Sequence, residues 1–168
     1  PLLIVKNYDE DALYEKRQVK PVYDTLIIKY GGLVEYYTHE DDVDISKLSF
    51  STTMCFGTCP VFDLHIASNG YAEYDAQQFN PETGKFQGKI DNKTLVKLLA
   101  LIKYLNLRSL ANNYKVNWTD DQTCHLSVKY QNGVTKSISD YGLIGTFGLH
   151  TLYELLFSLR QSQEWTEV

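Results

Sequence analysis

The sequence is poor in sulfur and proline, and it has no long apolar run. Of its 168 residues, three are Cys, one is Met and four are Pro. No stretch of about 18 apolar residues occurs, so the sequence predicts no transmembrane span. Lys and Arg number 16 against 21 acidic residues, and the net charge is −5. Without a basic stripe the chain has little to neutralise a phosphate backbone, and we expect no nucleic-acid partner.

What is present is the composition of an ordinary globular domain. Hydrophobic residues make up 43% of the chain and charged residues 22%, which argues against disorder. A chain of this length buries roughly 68–70% of its unfolded surface, so its core can hold the fold together without staples.

Three pairs of β-rich runs flank dipeptides that favour tight turns. The dipeptides are Gly31-Gly32, Asn69-Gly70 and Asn132-Gly133, and each predicts a β-hairpin. The first two hairpins match each other at a spacing of about 38–39 residues. This match indicates either an internal duplication or the general likeness of amphipathic hairpins.

Two segments with apolar residues at helical spacing follow the second and third hairpins. The first starts with Asp91 or Asn92 as its cap, and the second starts with Thr146. Because strands and helices do not alternate one by one, the order predicts an α+β fold with an antiparallel sheet built from β-hairpins. We expect both helices to pack on one face of this sheet. The other face is then left to water, to the N-terminal segment or to a partner.

Cys55 and Cys59 lie four residues apart around Gly57. Their Cα atoms would be roughly 13 Å apart in a strand, whereas a disulfide needs about 4.4–6.8 Å. A bond therefore requires a sharp turn. Gly57 permits that turn, and Pro60 favours the entry into the strand that follows. A structural pair is the favoured interpretation. Thiol–disulfide exchange and a zinc site, the latter with ligands such as Cys124, remain open alternatives.

The opening of this region resembles an uncharacterised bacterial domain family. That family has a CFGxCPxY motif followed by a hairpin, a helix, a second hairpin and a second helix. The matching residues here are Cys55, Phe56, Gly57, Cys59, Pro60 and Phe62, then Leu64, Ile66 and Asn69-Gly70. Phe62 stands where the motif has Tyr, so a hydroxyl is missing.

The resemblance covers about Ser49 to Trp165 and divides the chain in two. We expect a CFGxCP-type α+β domain over residues 49–168. Residues 1–48 would form an N-terminal segment with a β-hairpin, packed on the main domain. The resemblance implies an exported bacterial protein, periplasmic or at the cell surface, and a lipid anchor upstream of Pro1 would fit it. It supplies no catalytic residues, because the family has no assigned activity.

Four polar residues are candidates for a site on the sheet. Asp63 and His65 share one face of their strand, while His125 and Ser127 share one face of another. If the second and third hairpins are neighbours, all four meet on one surface, where they would offer groups for acid–base chemistry. The alternative is a solvated sheet face.

The remaining candidates predict structure and not chemistry. Cys124 alternates with apolar residues and is expected to be a buried free thiol. His150 and Glu154 are four apart on a helix, which is typical of a surface pair. Hydrolase, metalloprotease and nucleotide-binding motifs do not occur in the sequence. We expect neither a metal site nor a cofactor.

The leading hypothesis is a non-enzymatic, exported bacterial binding or interaction domain for an unknown protein or small-molecule ligand. A tyrosine-rich sheet face would supply the contact area. Its residues are Tyr23, Tyr30, Tyr36, Tyr37, Tyr71 and Tyr74. The alternative hypothesis is a thiol- or metal-dependent enzyme that uses Cys55, Cys59 and a histidine on the sheet face.

Overall fold

A computed structural model describes residues 44–105 and 107–168, together with the strands at residues 2–6, 11–15 and 33–35. Strands β1 (Leu2–Lys6), β2 (Asp11–Glu15) and β3 (Leu33–Glu35) form an antiparallel sheet in the order β2-β1-β3. The turn predicted at Gly31-Gly32 lies outside the described residues. So do Tyr23, Tyr30, Tyr36 and Tyr37.

The larger part of the chain forms an eight-stranded sheet with two helices. In chain order its elements are β4 (Ile45–Thr52), β5 (Val61–Ala67), β6 (Tyr71–Gln78), β7 (Gly84–Lys89), α1 (Asn92–Leu105), a 3₁₀ turn (Leu107–Ser109), β8 (Asn113–Lys115), β9 (Thr123–Tyr130), β10 (Thr135–Tyr141), α2 (Phe147–Ser162) and β11 (Trp165–Glu167). The strand order is β11-β7-β6-β5-β4-β9-β10-β8. The α+β class is confirmed, and the sheet is mostly antiparallel, with β8 running parallel to β10.

Strand β4 begins at Ile45, a few residues before the position at which we divided the chain. It lies in the middle of the sheet and pairs with β5 on one side and β9 on the other. The division into residues 1–48 and 49–168 stays a prediction. The four residues 45–48 nevertheless belong to the strand at the centre of the sheet.

Two glycines form the turns that the sequence predicted between neighbouring strands. Gly70 lies between β5 and β6 with φ of +85°, and Gly133 lies between β9 and β10 with φ of +83°. Residues with a Cβ atom rarely adopt this left-handed conformation. The strands on either side of each turn pair antiparallel.

One hydrophobic core joins alternate residues of the strands to both helices. Phe50 of β4 lies near its centre and is 1% exposed. Its ring centroid is 5.8 Å from that of Phe62 on β5, and 5.5 and 5.6 Å from those of Tyr153 and Phe157 on α2. Because strand residues alternate in direction, the neighbours of Phe50 in sequence point to the opposite face.

Each helix begins at a side chain that accepts a backbone N–H. Asp91, and not Asn92, caps α1, because its Oδ1 accepts from Thr94 N at 3.0 Å. Thr146 caps α2 as predicted, with Oγ1 accepting from Leu149 N at 3.3 Å. Such caps satisfy donors that the helix itself cannot pair.

The segment before α2 is held by a buried carboxylate. Asp140 is 1% exposed and accepts N–H groups from Ile144 at 2.9 Å and Gly145 at 3.0 Å. A Cβ atom added at Gly145 would lie 2.5 Å from Asp140 Oδ2, so a larger residue at that position would displace the carboxylate.

Asp140 should make stability depend on pH. Burial raises the pKa of its carboxyl above the ordinary value of 3.8, and the two N–H groups offset this in part. Because the folded pKa is then above the unfolded one, the stability from this group is fully present below the unfolded pKa. It is lost as pH rises through the folded pKa.

The Asp140→Asn variant lacks this titration. From about pH 3 to about pH 7, the wild type should therefore lose unfolding free energy relative to the variant. Urea unfolding of both proteins over a pH series measures the difference. A difference that stays constant, or that changes in favour of the wild type as pH rises, would contradict the assignment.

Candidate functional site

Small polar side chains cover the outer face of the sheet, which is the face that points away from the hydrophobic core, on both sides of β4. Ser49 lies opposite His65 of β5 and opposite Ser127 of β9. Ser51 lies opposite Asp63 and His125 in the same way. The sequence analysis made the meeting of these residues conditional on the second and third hairpins being neighbours. They are not neighbours, because β4 lies between β5 and β9.

These residues line a cavity of about 400 Å³. Its polar lining comprises Ser49, Ser51, Asp63, His65, Asn112, Asn113, His125, Ser127, Ser137 and Ser139. The four residues predicted as a polar cluster thus lie in one cavity lining. We call this set the serine–histidine face. Phe50, Leu126 and Ile138 contribute to the same lining, but each is no more than 2% exposed because its side chain belongs to the core.

Several side chains of the serine–histidine face are linked by hydrogen bonds. His65 Nδ1 and Ser49 Oγ are 2.9 Å apart, and Ser137 Oγ donates to Ser127 Oγ at 3.2 Å. Asp63 Oδ2 accepts from Gln77 Nε2 at 2.9 Å. These contacts orient the side chains while each hydroxyl keeps further capacity to donate or accept.

The spacing of the sheet limits what these groups can do together. Asp63 and His125 lie on strands either side of β4, so roughly 10 Å separates their backbones at the usual strand spacing. Ser51 lies between them. No hydrogen bond joins Asp63 to His125 among the described residues, and Asp63 instead accepts from Gln77. The Ser49–His65 contact is the one that resembles a nucleophile and its base.

The cysteine pair staples a turn between β4 and β5. Cys55 and Cys59 form a disulfide with Cα atoms 5.7 Å apart. Phe56 is 88% exposed, and its backbone N–H donates to Asp120 O at 3.0 Å. Gly57, also exposed, donates its N–H to Cys55 O at 2.9 Å. In this state neither sulfur is a thiolate that could act as a nucleophile or a metal ligand.

The rest of the motif anchors the stapled turn to the sheet. The carbonyl of Pro60 accepts from Thr52 Oγ1 at 2.7 Å and from Gln122 Nε2 at 2.8 Å. The Phe62 side chain is fully buried in the core, and its backbone N–H donates to Thr52 Oγ1 at 3.2 Å.

The other titratable candidates are structural in the described part of the chain. Cys124 is a buried free thiol, and burial, with the nearby Asp140 carboxylate, raises its pKa. His150 Nδ1 lies 3.5 Å from Glu154 Oε1 on the surface of α2. Among the described residues, no three His, Cys, Asp or Glu side chains are grouped so that they could hold a metal ion.

A family model described as "Domain of unknown function (DUF6438)" matches residues 46–160, which is more than half of the chain. The chain belongs to this family. The predicted membership of a domain-of-unknown-function family is confirmed, while the CFGxCPxY motif as the hallmark of the family stays a prediction. A search of curated proteins finds no significant match to this DUF6438 domain. In the segments the structure describes, no helix combines the length and apolar character needed to cross a membrane.

The sequence analysis missed four serines of the site, Ser49, Ser51, Ser137 and Ser139. Their signal was present in the runs SFS and SIS, where serines two apart flank an apolar residue. In a strand this spacing places both serines on one face. The predicted tyrosine-rich face needs a correction, because Tyr71 is exposed but Tyr74 is 4% exposed and lies in the core. The two residues are three apart, and so they point to opposite faces of β6.

Removing the disulfide should lower stability by a modest amount. For so short a loop the chain-entropy estimate is about 2 kcal/mol. The double variant Cys55→Ser/Cys59→Ser should therefore unfold in urea with a free energy lower by about that amount.

Reduced wild-type protein is the control and should match the double variant. Alkylation of denatured, unreduced wild type should modify one thiol, that of Cys124. Modification of all three cysteines without reductant, or a double variant as stable as oxidised wild type, would contradict the assignment.

Proposed function

We propose that this DUF6438 domain is a non-enzymatic binding module whose serine–histidine face holds a neutral, hydroxyl-rich ligand such as an oligosaccharide. The observation that carries the proposal is the cavity of about 400 Å³ lined by ten polar side chains. In this proposal the sheet is built from hairpins and both helices cover its inner face, which leaves the outer face open to a ligand.

The chemistry of the cavity favours a neutral polar ligand. Serine hydroxyls, imidazoles and amides both donate and accept hydrogen bonds, as the hydroxyls of a sugar do. Among the described residues that line it there is no Lys or Arg, so a phosphate or carboxylate would find no cationic side chain in the lining itself. Asp63 adds one carboxylate, which favours ligand hydroxyls that donate.

The same geometry gives less support to an enzyme. The Ser49–His65 contact of 2.9 Å would need an oxyanion hole of free N–H donors nearby. Ser49 lies inside β4, which pairs with β5 and β9, so ladder hydrogen bonds occupy the backbone donors around it. The alternative of a thiol enzyme is opposed by the disulfide between Cys55 and Cys59.

The proposal places the protein outside the bacterial cytoplasm, in the periplasm or at the cell surface. The disulfide supports this placement, because such bonds persist in oxidising compartments and are rare in the cytosol. A lipid anchor upstream of the present chain is part of the same proposal.

The test is an NMR titration with two neutral oligosaccharides, chitotriose and maltotriose. We expect at least one of them to shift the imidazole signals of His65 and His125, whereas those of His150 on α2 stay unchanged. The Ser51→Ala/Ser127→Ala variant removes two hydroxyls from the middle of the cavity. It should bind about 10-fold more weakly or worse, at about 1 kcal/mol for each lost hydrogen bond.

Ser158→Ala is the matched control, since Ser158 is an exposed serine on α2 whose hydroxyl donates to Leu155 O. It should leave the affinity unchanged. The proposal fails if neither sugar, at about 10 mM, shifts the imidazole signals of His65 or His125, because any binding would then be too weak to be specific. Release of acetate or of shorter sugars during the titration would show instead that the protein is an enzyme.

A further inference from the structure

A second cavity lies on the inner side of the sheet and is separate from the serine–histidine face. It measures about 300 Å³ and opens beside β6, β7, β11 and the last turn of α2. Three aromatic residues and a cation line it, namely Tyr74, Phe86, Trp165 and Arg160. The Tyr74 ring centroid is 5.8 Å from that of Phe86 and 5.1 Å from that of Trp165. We call this set the aromatic–arginine pocket.

Arg160 is held in place by neutral groups. Its Nε donates to Phe157 O at 3.0 Å, and its Nη1 donates to Asn80 Oδ1 at 3.1 Å. Asn80 is itself fixed, because its Nδ2 donates to Val61 O and Gln78 O at 2.8 and 2.9 Å. The guanidinium carbon lies 5.2 Å from the centre of the Phe62 ring. The cation is therefore oriented before any ligand arrives.

Arg160 has no ion-pair partner in direct contact within the described part of the chain. No carboxylate there lies within 4.0 Å of its nitrogens, although three other ion pairs meet that limit. The residue is half-buried, and burial lowers its pKa. A partly desolvated cation without a contacting ion-pair partner is costly, and a bound anion would lower that cost.

The hydroxyl of Tyr74 is the second group without a partner. The side chain is 4% exposed, and its Oη is buried with no hydrogen-bond partner among the described residues. Arg160 and Tyr74 influence each other's pKa, so the phenol lies in the field of the guanidinium. A buried donor of this kind normally has an acceptor.

We propose that the aromatic–arginine pocket binds a small monocarboxylate with an apolar or aromatic body. The carboxylate would accept from the free Nη of Arg160, and the body would lie against Phe86 and Trp165. The Tyr74 Oη is closed to water in the unbound state, so a small shift of this side chain on binding would let its hydroxyl donate to the carboxylate as well. Planar guanidinium groups recognise carboxylates through paired hydrogen bonds. A concave, mostly apolar site with a few convergent polar groups is typical of small-molecule binding.

Glu82 and the two glutamines Gln161 and Gln163 complete the polar part of the lining. The Glu82 carboxylate repels any negative charge on a ligand, so it disfavours a dicarboxylate or a phosphate more strongly than a monocarboxylate. Among anions, the pocket therefore favours those with one negative charge. This inference does not depend on the function proposed for the serine–histidine face, which lies on the other side of the sheet.

The test uses phenylacetate as the probe and phenylacetamide as its neutral counterpart. The chain has two tryptophans, so the Trp118→Phe background leaves Trp165 as the fluorescent reporter in the pocket. Trp118 is 57% exposed and bonded to Asp121, so its replacement leaves the core intact. We expect phenylacetate to change the Trp165 emission with a Kd of about 1 mM or lower, and phenylacetamide to bind at least about 10-fold more weakly.

Tyr74→Phe is the decisive variant, because it removes one hydroxyl and keeps the ring. It should weaken phenylacetate binding about 10-fold without lowering the melting temperature, since the hydroxyl has no partner to lose. Tyr71→Phe on the same strand is the matched control. Its hydroxyl donates to Gln87 on the exposed side, and its loss should leave the affinity unchanged. Arg160→Gln should abolish the preference for the anion.

Three results would overturn the proposal. The first is equal binding, or no binding, of phenylacetate and phenylacetamide at about 10 mM. The second is an unchanged phenylacetate affinity in Tyr74→Phe. The third is a lower melting temperature of Tyr74→Phe, which would show that the hydroxyl already has a partner within the protein.

Discussion

The pairing of β4 with both β5 and β9 is the interaction on which the rest of the structure depends. It joins two parts of the chain that are far apart in sequence, and it places one strand in the middle of the sheet. Phe50 points from this strand into the core between Phe62 and α2. Ser49 and Ser51, on either side of Phe50, point the other way. Core and candidate site therefore share one strand, and its register sets both at once.

Much of the architecture could be predicted from local patterns. The turns at Gly70 and Gly133 and the cap at Thr146 follow from residue chemistry that acts over a few positions. The disulfide could also be favoured, because Gly57 lets the chain turn within four residues. Such features depend on conformational preferences of short segments, and a single sequence contains that information.

The order of the strands could not be predicted in the same way. Nothing in the hairpins at Asn69-Gly70 and Asn132-Gly133 says that β4 lies between them, because this pairing depends on long-range burial of Phe50 and Leu48. The parallel contact of β8 with β10 is also long-range. The polar cluster was assembled from Asp63, His65, His125 and Ser127 by alternation alone. The serines of β4 that lie between its members could be placed in the site only from the order of the strands. The aromatic–arginine pocket was missed altogether, since Arg160 and Tyr74 are 86 residues apart and no local pattern connects them.

The edges of the eight-stranded sheet have a consequence for how molecules of this protein meet one another. The strand at one edge, β11 (Trp165–Glu167), and the strand at the other, β8 (Asn113–Lys115), each have three residues. A long edge exposes a row of unpaired backbone groups to which a strand of another molecule can add. Here the outermost strand at each border offers only three residues to such growth, and β8 ends on the charged Lys115. The strand β8 covers β10 at Ser139–Tyr141 and β11 covers β7 at Phe86–Gly88. These short outer strands therefore shield part of each border from a strand of another molecule.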